Sequence, residues 1–193
     1  MIAGAGGNNS WLLRIIHELQ RTHQINEDVE FTVYDGDTVE QKNLLYQDFT
    51  KEDLLDNKAE VLSKRYAFFS VPAYIQDPHE FDNYDIVICG VDNKKFREML
   101  YRYMNEHPEK YWIDLRAEGH TVSINAKSNK ISLEELLNTL PKTDSGGNSC
   151  QLSYELDAGI IQLGNRIAAT IGAQYLLNHL RGEENPPSFI HMF

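Results

Sequence analysis

The chain has 193 residues, with 29 acidic against 18 basic side chains and a formal net charge of −11. So acidic a surface repels nucleic acid and anionic membrane, whose attraction rests mostly on Lys and Arg, and no basic run makes a local exception. Hydrophobic residues at 41%, with 12 glycines, exclude disordered, collagenous and fibrous classes and suffice for a single domain over 1–193.

The elements alternate along the chain. Met1 to Ala5 is a short apolar run that enters Gly4-Ala5-Gly6-Gly7. Ser10 is placed to cap a helix from Trp11 to about Thr22, where Leu12, Leu13, Ile15, Ile16 and Leu19 keep helical spacing. Val29 to Tyr34 reads as a strand ending at Asp35-Gly36-Asp37. Asp56 or Asn57 caps a helix to about Phe68, and Val71 to Ile75 reads as a strand despite Pro72. Asp85 to Val91 is the clearest buried strand, followed by a helix from Asn93 to His107 that stops before Pro108. Tyr111 to Leu115 and Thr121 to Ala126 are strands, and Ser132 caps a short helix to about Asn138. Pro141 to Ser149 is rich in turn residues. Tyr154 to Leu180 reads as one long apolar helix whose small residues suit close packing on a sheet or a subunit. Glu183 to Phe193, with Pro186-Pro187, reads as a tail.

This order predicts an α/β, Rossmann-like, doubly wound and mostly parallel sheet. Added antiparallel strands and a long C-terminal helix complete it. Only Cys89 and Cys150 occur, no window of 18 apolar residues exists, and no signal peptide is recognised. The expectation is a soluble protein of a reducing, cytoplasmic compartment.

The glycine-rich segment lies between a strand and a helix, where backbone amides and the helix N-terminus favour a phosphate. Asp35 closes the next strand, where a carboxylate meets ribose hydroxyls. NAD binding is one reading of this pair, but Asn9 or Ser10 stands where the last glycine of the dinucleotide fingerprint belongs. Asp92 follows an apolar strand at the end where open α/β sheets bind ligands, and it is also a favoured helix cap. Attack of a carboxylate on a phosphate brings anions together, so cations must offset the repulsion. Magnesium needs an acidic oxygen ligand. Lys58 and Asp92 are the candidates of those two types.

The joint pattern is Asp35-Gly36-Asp37-Thr38-Val39-Glu40-Gln41-Lys42-Asn43-Leu44, then Lys58, then Asp85 through Asn93, then Arg97. With its glycine loop, the sequence resembles the ubiquitin-activating-enzyme superfamily, the ThiF/MoeB/HesA-type adenylyltransferases. The resemblance runs in order from Gly4 to about Arg97, and more loosely through Gly119-His120 and the C-terminal helix. It implies ATP and Mg²⁺ as cofactors and acyl-adenylate formation at the C-terminal carboxylate of a ubiquitin-like or sulfur-carrier protein ending in Gly-Gly. It also implies a homodimer.

By this resemblance Gly4, Gly6 and Gly7 would cradle phosphates and Asp35 would hold the ribose. Asn43 would contact phosphate or ribose, and Lys58 would neutralise the triphosphate. Asp92 would bind Mg²⁺ with Asn93 supporting its loop, and Asp37 and Gln47 belong to the same nucleotide-binding set. Cys150, before the last helix, is the candidate acceptor of the activated acyl group, with a non-catalytic thiol as the plainer alternative.

Three features depart from the family pattern. Tyr46 stands where an arginine is expected, and a phenol supplies no bidentate cation. No arginine precedes the first strand, and the paired Cys-x-x-Cys zinc site is absent, so no zinc is expected. Arg14, Arg65 or Arg97 are candidates to compensate. Beside the enzyme reading stand a non-catalytic nucleotide-binding scaffold or partner subunit, and an NAD-dependent oxidoreductase.

Overall fold

Short apolar runs build the sheet. The computed structural model describes residues 1–128, 130–141 and 157–192. β1 is only Ile2–Ala3, both fully buried, and it pairs in parallel with β2 (Thr32–Tyr34) on one side and β4 (Ile86–Cys89) on the other. β3 (Phe69–Val71) lies beyond β2, and β5 (Tyr111–Glu118) lies beyond β4, both parallel. β6 (Thr121–Ala126) and β7 (Ser188–Met192) extend the sheet antiparallel, giving the order β3-β2-β1-β4-β5-β6-β7. The order reverses between β1 and β4, and the crevice of a doubly wound sheet opens at such a point.

Alternation along each strand divides the core in two. Ile2, Val33, Ile88, Ile113 and Leu115 face α1 (Gly7–Arg21), α2 (Lys58–Tyr66) and α5 (Gly164–Leu180). Ala3, Val87, Cys89 and Trp112 face α3 (Lys94–Glu106) and α4 (Leu133–Asn138). The sheet therefore has helices on both faces, as expected. Cys89 is a buried core residue.

Several boundaries differ from expectation. α1 begins at Gly7, capped by Gly6, rather than at Trp11. Asn8, Asn9 and Ser10 are helical because other elements engage their polar groups. Asn8 Nδ2 donates to the Leu115 carbonyl at 3.1 Å, and the Ser10 hydroxyl accepts from the Asp48 amide at 3.2 Å. β3 starts at Phe69, because Ala67 adopts a left-handed conformation (φ 59°) that closes α2 at Tyr66. It stops at Val71, before Pro72, which has no N–H for the ladder. The expected tail supplies an edge strand, β7. Of the expected Tyr154–Leu180 helix, residues 154–156 lie outside the described residues, and the helix that packs on the sheet runs from Gly164, after Gly159 turns the chain at φ 73°.

The small residues of α5 serve contact with the sheet. A Cβ built on Gly172 would meet Leu115 Cδ2 at 2.7 Å. Gly172→Ala is expected to cost about 1–2 kcal/mol by overpacking, measured as a lower urea midpoint at unchanged slope. A variant as stable as the parent would show that the helix can ride outward freely. Among the described residues no helix is long and apolar enough to cross a membrane.

Candidate functional site

The C-terminal ends of β1, β2, β3 and β4 open into one cleft of about 630 Å³. Its floor is the glycine loop. Gly4, at φ 86°, turns the chain out of β1 in a conformation that other residues rarely adopt, and Gly6 and Gly7 bring α1 to the cleft. Asn9 locks this loop to the end of β4. Its Nδ2 donates to the carbonyls of Ala3 (2.9 Å) and Gly4 (2.8 Å), and its amide fills the space where a Gly90 Cβ would stand, at 2.5 Å.

The second wall follows β2. Asp35 is buried, and its two carboxylate oxygens accept from the amides of Ala5 (2.6 Å) and Asp37 (2.8 Å). Burial raises the Asp35 pKa, and those two amides and Lys58 only partly offset it. Asp37 behaves oppositely. Burial works against its charge, but the Tyr74 hydroxyl and the Lys58 ammonium bond it and hold its pKa below the ordinary value. The same contact pushes Tyr74 up to about 12.

Lys58 opens α2. Asn57 caps this helix, its Oδ1 accepting from the Glu60 amide at 3.1 Å. Asn57 Nδ2 also donates to the carbonyls of Asp35 and Asp37, tying the helix start to the β2 loop. Lys58 is thereby buried, with Nζ 3.0 Å from Asp37 Oδ2, and is not an ordinary helix-face lysine.

The 3-10 turn Gln41–Leu45 supplies the rim. Asn43 is buried and accepts from the Glu40 amide at 2.8 Å, so it holds the turn in shape. Tyr46, 7% exposed, lines the cleft, and its carbonyl accepts from Trp11 Nε1 at 2.9 Å. Gln47 lines the cleft with a buried Oε1 that has no hydrogen-bond partner. That orphan acceptor suits a ligand hydroxyl or amino group.

Asp92 and Asn93 follow β4. Asn93, not Asp92, caps α3, its Oδ1 accepting from the Phe96 amide at 3.1 Å. Asp92 is exposed at the mouth, and no hydrogen bond or ion pair with a described residue occupies its carboxylate. One open carboxylate at the mouth of the cleft fits the way Mg²⁺ is usually held, through few protein oxygens plus substrate phosphates and water. No cluster of three His, Cys, Asp or Glu that could hold a metal occurs among the described residues.

All ten residues expected to bind nucleotide thus line one cleft. Cys150 lies outside the described residues. The three arginines considered as compensation point elsewhere: Arg14 toward Glu18 and Asp48, Arg65 toward Asp53 and Asp48, and Arg97 toward Asp114. Sequence reasoning missed Tyr34, Lys42 and Tyr74, which also line the cleft. For Tyr74 the only available signal was an aromatic residue just after the third strand. Two other surface hollows, around His23–Val29 and around His17 and Phe69, lie away from the C-terminal strand ends and gather none of these residues.

No family model matches the chain, and no curated protein does. Solved structures share its fold. PaaA superposes with a TM-score of 0.70 at 14% identity, over 100% of this chain and 59% of that one. E. coli MccB with AMPCPP and MccA gives 0.70 at 15%, over 100% of this chain and 60% of MccB. E. coli MccB with ATP gives 0.69 at 15%, over 100% of this chain and 62% of MccB. The chain therefore spans about three-fifths of the length of these neighbours. It shares the fold of MccB and PaaA, a mixed, mostly parallel α/β sheet with helices on both faces.

Proposed function

We propose that the cleft binds ATP with Mg²⁺ and adenylates the terminal carboxylate of a polypeptide, releasing pyrophosphate. The convergence of the glycine loop, Asp35, Lys58 and Asp92 on one cleft carries this reading. The neighbours add support, since solved MccB structures hold ATP, or AMPCPP together with MccA.

The residues divide the work as follows. The amides of the glycine loop and the start of α1 attract phosphate oxygens. Asp35 keeps lone pairs beyond its two backbone bonds, and these accept from ribose hydroxyls. Lys58 moves its ammonium from Asp37 to the triphosphate and reduces the repulsion met by the incoming carboxylate. Asp92 is the protein ligand for Mg²⁺, which when bound neutralises charge on the phosphate oxygens. The attacking carboxylate oxygen bonds to the α-phosphorus, and the bond from that phosphorus to the bridging oxygen breaks. The carrier is expected to be a ubiquitin-like or sulfur-carrier protein ending in Gly-Gly, acting on a homodimer.

The test is pyrophosphate–ATP exchange with candidate carriers and short peptides, each with a free and an amidated C-terminus. Exchange that needs the free carboxylate supports the enzyme. ATP binding with no exchange across the panel supports the scaffold reading, which Tyr46 favours by supplying no cation. Thermal stabilisation by NAD but not by ATP–Mg²⁺ would overturn both.

A further inference from the structure

Charge in the cleft is unbalanced in a way that the sequence motif did not reveal. Among the described lining residues, four carboxylates (Asp35, Asp37, Glu40 and Asp92) face two ammonium groups, Lys42 and Lys58, and no arginine. A bound triphosphate adds several negative charges to a site already negative. Lys58 is buried and paired with Asp37 at 3.0 Å, so when it turns to the triphosphate it leaves the Asp37 carboxylate uncovered in the cleft, and a second cation is needed to offset the phosphates.

Lys42 differs. It stands on the 3-10 turn at the rim, with 63% of its side chain exposed and Nζ 2.7 Å from Glu40 Oε2. An exposed pair of this kind is held weakly. The Glu40 main chain is held independently of the lysine: its carbonyl accepts from the Asn43 amide at 2.9 Å and its N–H donates to Asn43 Oδ1 at 2.8 Å. Glu40, with Tyr46 and Asp37 behind it, raises the Lys42 pKa, which keeps the ammonium charged.

We propose that Lys42 is the phosphate-binding cation that this cleft uses where Tyr46 supplies none, turning from Glu40 onto the nucleotide's phosphates. The assignment deepens the ATP reading above and rests on it. It makes Lys42 a reader of the phosphate tail, without contact to the base or ribose.

The experiment compares ATP–Mg²⁺ and adenosine, each competing with a fluorescent ATP analogue, on wild type, Lys42→Ala, Lys42→Arg and Glu40→Gln. Lys42→Ala is expected to weaken ATP about tenfold and to flatten the salt dependence of binding, while adenosine changes by less than about twofold. Lys42→Arg is expected to keep ATP within about threefold of wild type. Glu40→Gln keeps the main-chain bonds with Asn43 but frees the lysine, and is expected to tighten ATP about twofold. Unchanged ATP affinity in Lys42→Ala, or equal losses for ATP and adenosine, would overturn the role of Lys42 and leave the nucleotide reading standing. A wild-type protein that binds no ATP would overturn both. Because Lys42 is exposed, its replacement leaves the core intact, and thermal melting of the variants verifies this.

Discussion

Replacing Asp114 by asparagine is expected to cost about 3–5 kcal/mol of folding stability, read from urea denaturation at neutral pH. Asp114 is fully buried on β5. Arg97 Nε reaches Oδ1 at 3.0 Å, while Arg116 Nε at 2.7 Å and the Tyr101 hydroxyl at 2.5 Å share Oδ2. Arg116 also donates to the Thr139 carbonyl at 2.9 Å, so the cluster ties α3 and β5 to the end of α4. Asparagine keeps the shape but leaves two guanidiniums without a counter-charge, and burial makes that expensive. Burial alone would raise the Asp114 pKa; the two arginines and Tyr101 overcome it and hold the carboxyl down at about 2, from an ordinary 3.8. A depressed acid stabilises above its unfolded value and loses that contribution as pH falls toward the folded one. Wild-type stability should therefore decline between about pH 4 and pH 2 through this group, and the variant should lack that part of the decline. A variant within about 1 kcal/mol of wild type at neutral pH would show that the arginines find other partners.

Asp35→Ala and Asp92→Ala are expected to separate nucleotide binding from metal binding. Asp35 carries two backbone amides and, on the proposed reading, two ribose hydroxyls. At roughly 1.5–3 kcal/mol for each charge-assisted bond, losing the ribose pair weakens ATP by about two to four orders of magnitude. The loss should be the same with and without Mg²⁺. Asp92→Ala should leave metal-free ATP binding unchanged and abolish only its strengthening by Mg²⁺. Calorimetry with and without chelator measures both. Asp35→Ala binding ATP within about threefold of wild type, or Asp92→Ala still responding fully to Mg²⁺, would remove the role assigned to that residue.

The sequence made the strand–helix order legible because apolar runs and glycine turns are local signals. Among the ten cleft residues, the glycines, Asp35 and Asp92 were legible from their places after strand ends, whereas Asp37, Asn43, Gln47 and Asn93 were legible only through the family resemblance. What stayed hidden depends on contacts distant in sequence. Asn8 to Ser10 looked like a pre-helix loop until Leu115 and Asp48 engaged their side chains. β7 looked like a tail because Pro186-Pro187 precedes it, yet β6 offers an unpaired ladder for Ser188–Met192. The Asp114 cluster draws on α3, β5 and Thr139, and nothing in the spacing of those residues announces it. Lys42 carried no signal of its own, since a lysine in a polar turn is ordinary. Only its position at the rim distinguishes it.

The Asn9 clasp sets how the cleft can respond to an occupant. Since one amide group grips both Ala3-Gly4 and the space beside Gly90, the floor and the Asp92 side form a single stiff frame. Adjustment on ligand entry therefore falls to the opposite lip, where Tyr74 and Lys42 sit on short connecting segments with exposed side chains. Accommodation in this molecule is one-sided, like a jaw with a fixed upper plate.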